Sequence, residues 1–113
     1  MASNSPVVIT AAQLTTSAAT YYTVPTNVTA YIRKLNLLNS TGGAVTATVH
    51  LVPNGGTANA TNMVISAQSI AAGASYQCPE VEGQVLATGA TIQALASAGT
   101  AISLRGTALE MVL

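Results

Sequence analysis

The chain has 113 residues, half of them hydrophobic, yet only 5% are charged and 4% aromatic. Three basic residues (Arg33, Lys34, Arg105) balance three acids (Glu80, Glu82, Glu110), so there is no electrostatic footprint for nucleic acid or an anionic membrane. One His, one Cys and no Asp leave almost nothing for acid–base or nucleophilic catalysis, which needs at least two positioned groups.

A chain of this length makes one domain with its own core. The start, "MASNSPVVIT", lacks a basic region followed by a continuous apolar run, so a product made and kept in a cytoplasm until assembly is expected. Residues 1–20 carry a weak pattern: "VVIT" and "QLTT" suit short strands or an extended arm that reaches a neighbouring subunit. Tyr21 and Tyr22 in "TYYTVP" occupy one core and one surface position of a strand, and an exposed tyrosine suits an interface. The main domain is expected over residues 21–113.

"VTAYIRKLNLLNS" is a long β-branched and Leu-rich segment whose apolar parity slips between Ile32 and Leu35, as a bulge at Arg33 and Lys34 would produce. Such a bulge could present both cations to one surface, either as solvated charges that keep an edge from aggregating or as a subunit or capsid contact. The following "STGGA" supplies two glycines for a turn, which predicts an antiparallel hairpin with the next strand. That strand, "AVTATVHLV", alternates cleanly, with Val45, Ala47, Val49 and Leu51 on one face and His50 on the other, so His50 is expected to face outward.

"PNGGTANAT" then ends the strand and turns the chain. It has no Lys-Ser/Thr end and opens no helix, which excludes a phosphate cradle, and leaves Asn59 and Asn62 as candidate contacts. "MVISAQSI", "SYQCP" and the strand after Thr88-Gly89 at residues 91–96 follow. "AISLRGTALEMVL" closes the chain, with Gly106 as a bulge or kink. Glu80 and Glu82 in "CPEVEGQ", two apart, would share one face of an extended segment, as a solvated strand edge or as a contact to a basic patch.

Turns every eight to twelve residues or so predict an all-β fold: a single antiparallel β-sandwich, jelly-roll-like, with about seven to nine short strands and little or no helix. Cys78 is single, so it makes no intrachain disulfide and no cysteine-based metal set; it reads as a buried spectator thiol. No catalytic residue, cofactor or metal site is expected. The Asn-x-Thr triplets at Asn27, Asn39 and Asn59 read as products of a Thr- and Asn-rich chain, not glycan acceptors. So few charges leave the surface either hydrated by Thr, Ser and Asn or buried in an assembly.

Taken together, "YYTVPTNVTAYIRKLNLLNSTGGAVTATVHLVPNGG", "SIAAGASY" and "GQVLATGATIQALASAGTAISLRGTALEMVL" resemble a family of small virion structural proteins of tailed bacteriophages. The matching features are Thr23 and Pro25, Asn39, His50 to Pro53, Gly73, Leu86 with Gly89 and Ile92, and Gly106. Relatives carry an acid after the hairpin glycine where this chain has Ala90, so no role for that acid is carried over. The resemblance implies a non-enzymatic sandwich in the virion, most simply a capsid decoration or cement protein that stabilises the head shell. The alternative is a tail, head-to-tail or fibre-associated component. Partners would be the major capsid protein or another virion protein, with self-association as a homotrimer, and neither nucleic acid nor membrane. Tyr21, Tyr22, Arg33, Lys34, Asn59, Asn62, Glu80 and Glu82 are the candidate contacts.

Overall fold

The computed structural model describes residues 3–112. Among them are nine strands: β1 (Ser3–Gln13), β2 (Ala19–Thr23), β3 (Val28–Asn39), β4 (Val45–Val52), β5 (Met63–Ile70), β6 (Ser75–Tyr76), β7 (Val85–Leu86), β8 (Thr91–Ala96) and β9 (Ile102–Val112). Pairing is nested and antiparallel: β1 with β9, β2 with β8, β3 with both β6 and β7, and β4 with β5. The chain is thus one long hairpin rolled onto itself, the jelly-roll form of the sandwich. Further β3–β9 and β4–β8 pairings gather the strands into a first sheet, β1-β9-β3-β6 with β7 also on β3, and a second sheet, β2-β8-β4-β5.

Alternation explains why the sheets stack. In β3, Val28, Ala30, Ile32, Leu35, Leu37 and Asn39 are buried, and in β8 Ile92, Ala94 and Ala96 are. The core is aliphatic: Ile9, Leu14, Ile32, Leu35, Leu37, Ile92, Ile102 and Leu104 are all fully buried. The expected bulge is present, because the β3–β9 register shifts between Ile32 and Lys34. Arg33 and Lys34 are both exposed between the buried Ile32 and Leu35, so both point away from the core. Gly106 sits opposite the bulge, paired with Leu35 and with Ile9. A Cβ there would lie 2.5 Å from Lys34 O, so only glycine lets β9 approach the bulged strand this closely.

Three expectations are corrected. First, β3 and β4 do not form a hairpin: they lie in different sheets, and "STGGA" is the crossover between them. Both strands have an apolar face, and those faces meet across the core instead of side by side. Asn39 fixes the crossover. Fully buried, its Nδ2 donates to Gly43 O (2.8 Å) and Ile70 O (2.9 Å), while its Oδ1 accepts from Thr41 N (2.9 Å) and Thr41 Oγ1 (2.7 Å). Asn59 repeats the local half of this device, accepting from both the N–H and the hydroxyl of Thr61. Two of the three Asn-x-Thr triplets are therefore side-chain turns in which asparagine stands in for backbone.

Second, His50 points away from the core, as its parity predicts, but is only 4% exposed, and Val52 on the same face is 1% exposed. The loop after β4 folds back over them. Gly55, at φ 78, makes the tight turn in which Gly56 N donates to Pro53 O, as a type II turn requires. Third, Glu80 and Glu82 are not on an extended edge. Val81 N and Glu82 N both donate to Cys78 O, so this segment is a turn, with Glu80 on the Tyr76 hydroxyl and Glu82 near Lys34.

The long strands β1, β3 and β9 give the molecule its 49 × 25 × 19 Å extents. The segment expected as short strands or an extended arm contributes β1, an edge strand of the first sheet. Edges in this charge-poor chain are blunted without lysine. Edge strand β1 carries Pro6 and a register shift after Ile9, β2 shifts after Thr20, and β5 sits opposite two shifts and has Ala67 at φ 46; β6 and β7 are two residues each. Bulges and proline oppose edge-to-edge addition as charges otherwise would.

Candidate interaction surfaces

The eight candidate contact residues fall into three places. Tyr21 and Tyr22 of β2 are half-buried and pack on the core. The Tyr22 hydroxyl crosses the sandwich to donate to Glu110 Oε2 of β9 at 2.6 Å, and burial followed by this carboxylate holds its pKa well above the ordinary tyrosine value. Asn59 and Asn62 build the loop over β4. Asn62 Oδ1 accepts from Asn59 N at 3.0 Å, and its Nδ2 donates to Thr57 O at 2.8 Å. His50 Nδ1 lies 3.1 Å from Asn59 O and 2.9 Å from Asn62 Oδ1. Both neighbours are acceptors, so Nδ1 carries the proton and the imidazole latches the loop. Much of the hydrogen-bonding capacity of these asparagines is spent inside the chain.

Arg33, Lys34, Glu80 and Glu82 converge on the first sheet. Lys34 Nζ is 4.0 Å from Glu82 Oε2, and Arg105 of β9 lies opposite Asn36 of β3. Glu80 accepts the Tyr76 hydroxyl at 2.7 Å, which pushes that phenol up to about 12. Around the Gly106 bulge, Val8, Lys34, Asn36, Arg105 and Thr107 line a shallow depression of about 290 Å³. All six formal charges thus sit on or beside one sheet, with Glu110 turned inward to Tyr22.

The same face has an apolar row that the strand patterns did not disclose. Registers place Pro6 of β1 opposite Leu109 of β9, Leu109 opposite Tyr31 of β3, and Tyr31 opposite Val85 of β7. This row crosses the whole sheet. Four of the five exposed large hydrophobics among the described residues lie on this sheet: Val8 (70% exposed), Tyr31, Leu38 and Val85 (59%). Residue parity could have found Tyr31, because it alternates with buried Ala30 and Ile32. Its partners could not be found without the register.

The outer face of the second sheet differs. It presents Thr20, Thr46, Thr91 and Gln93 with no formal charge, and the 53–62 loop covers it at His50 and Val52. A groove of about 480 Å³ runs between the β4–β5 end of this sheet and the 84–90 segment; Leu51, Pro53, Met63, Val85, Leu86 and Thr88 line it. It holds no ionisable group. Cys78 is fully buried and unpaired, and its thiol is pushed up to about 12, chiefly by burial and then by Glu80 and Glu82. Among the described residues, no three His, Cys, Asp or Glu side chains come together as a metal site would require.

No protein-family profile and no curated protein sequence matches the chain. Its fold is similar to solved structures. One is a chain from Bacillus endospore appendages, described as a family of disulfide-linked pili, with a TM-score of 0.60 at 18% identity over 99% of this chain and 88% of that one. Two others come from infectious bursal disease virus. A chain of the viral particle gives 0.52 at 12% identity, and one of the VP2 subviral particle gives 0.50 at 15%. They match 99% and 98% of this chain, which spans about a third of their length (31% and 33%). At these identities the likeness establishes a common β-sandwich fold.

Proposed function

We propose that the chain is a non-enzymatic structural subunit of a virion: a decoration or cement protein that binds the head shell of a tailed bacteriophage and stabilises it. The observation that carries this reading is a rolled β-sandwich with an exposed apolar row on one sheet in which, among the described residues, no three His, Cys, Asp or Glu side chains come together. The tailed-phage resemblance of the strand and turn words supplies the particle. Fold likeness to chains of a pilus and of a virus particle supports an assembling role. In this reading the major capsid protein is the partner, the chain self-associates as a trimer, and it reaches the virion from the host cytoplasm.

Physically, such a protein works by adding buried area across neighbouring shell subunits, at roughly 25 cal/mol per Å² of apolar surface. Thr, Val and Ala faces suit this, because side chains with few rotamers lose little entropy on docking. The test compares virions with and without the chain: loss of the protein should lower the temperature at which heads release DNA. Unchanged tolerance to heat and chelators would sink the reading. A tail or head-to-tail position is the alternative within the same particle.

A second reading, an appendage subunit, is favoured by the 88% of the pilus chain's length that is matched. Here Cys78 discriminates. A thiol that is fully buried and the only one in the sequence is unsuited to disulfide linkage between copies.

A further inference from the structure

We infer that the outer face of the first sheet is the surface on which a second copy of this chain docks. The inference shares with the proposed function only the premise of self-association, and assigns that association to a place. Edge addition is opposed by Pro6 and the register shifts at β1, β2 and β5, so association falls to the faces. The second sheet's outer face is already covered at His50 and Val52 by the chain's own loop. The first sheet's carries the exposed Pro6–Leu109–Tyr31–Val85 row with Val8 beside it.

Size and charge both point to a copy of the chain as the occupant. Three strands of 11 and 12 residues at ~3.4 Å per residue, abreast at ~4.8 Å, with the two-residue β6 and β7 beside β3, span on the order of 600 Å². A partner in a standard-sized complex contributes ~800 Å². Beside the apolar row, toward the middle of the sheet, lie three cations (Arg33, Lys34, Arg105), with Glu82 against Lys34 and Glu80 on the same turn. That is an apolar patch with a charged flank, and tyrosine and arginine are residues that interfaces favour. Positive and negative groups stand side by side and nearly cancel. Such a surface complements another neutral, mixed surface, as a chain of zero net charge provides, and repels neither. It would be a poor match for a strongly acidic or basic partner.

The test is the mass of the purified full chain by light scattering coupled to size exclusion. The chain should run at two or three times 11.3 kDa. The double variant Val8→Lys/Val85→Lys, changed at positions that are 70% and 59% exposed, should fall to the single-chain mass with an unchanged far-UV circular dichroism spectrum. Thr46→Lys/Thr91→Lys, on the other sheet's outer face, should keep the parent's mass. A wild-type chain of single mass overturns the inference, as does a Val8/Val85 variant that keeps the oligomer. The two readings fail separately. A monomer that still binds shells would overturn this inference alone, whereas an oligomer lost on the face substitution, from a chain found on no particle, would overturn only the virion reading.

Discussion

Replacing Asn39 with Ala should be among the most damaging single changes away from the aliphatic core. The side chain is fully buried and makes four hydrogen bonds, to Gly43 O, Ile70 O, Thr41 N and Thr41 Oγ1. It ties the end of β3 to β5 of the other sheet. At ~1 kcal/mol net for each bond, with a larger penalty for the acceptor left dry at Ile70, the loss is about 3–4 kcal/mol. A domain of this size holds roughly 6–17 kcal/mol in all. The assay is urea unfolding followed by far-UV circular dichroism at fixed protein concentration. The midpoint should fall while the slope, which reports the surface exposed on unfolding, stays constant. Thr41→Val removes only the hydroxyl, which lies near Asn39 Oδ1 and Gly43 O, and should cost about 1 kcal/mol. The two changes should not add: the double variant should be less destabilised than the sum, because the hydroxyl's partner is already gone. A loss below 1 kcal/mol for Asn39→Ala, or strict additivity, would refute the crossover role.

Gly106→Ala places a Cβ 2.5 Å from Lys34 O, so strands must move, and about 1–3 kcal/mol should be lost; a neutral result by thermal unfolding would show that the bulge tolerates a methyl. The Cys78 thiol, buried and raised to about 12, should ignore an aromatic disulfide reagent at pH 8 until urea is added, and rapid stoichiometric labelling of the folded protein would contradict its burial. Tyr22 keeps its proton in the folded state past the ordinary tyrosine value. Its contribution is therefore fully present below about pH 10 and declines as pH rises above it. Tyr22→Phe should flatten that alkaline decline in stability, and an unaltered slope between pH 10 and 12 would exclude the cross-sandwich bond as its source.

Local patterning carried most of the fold and little of the surface. The parity slip at Arg33 and Lys34 disclosed a bulge because burial of Ile32 and Leu35 on one face demands an extra residue between them. The "TG" at residues 88–89 and the strand at 91–96 were equally legible, since glycine at positive φ marks the turn directly. The β3–β4 connection was misread because a short Gly-rich turn looks the same whether it closes a hairpin or crosses between sheets. What decides is Asn39's hold on Ile70, a residue 31 positions away. His50 was placed on the correct side of β4 but not under cover, since nothing in the alternation of one strand reports a loop folded over it. The apolar row depends on the register of four strands at once, and Glu80 and Glu82 were assigned to a strand where Cys78 O gathers them into a turn.

Cryo-EM of purified particles would test the central claim most directly. A decoration protein should give density for a two-sheet sandwich on the outside of the head shell. A map that places the chain on the tail alone, or intact particles of its source that lack it altogether, would contradict the account.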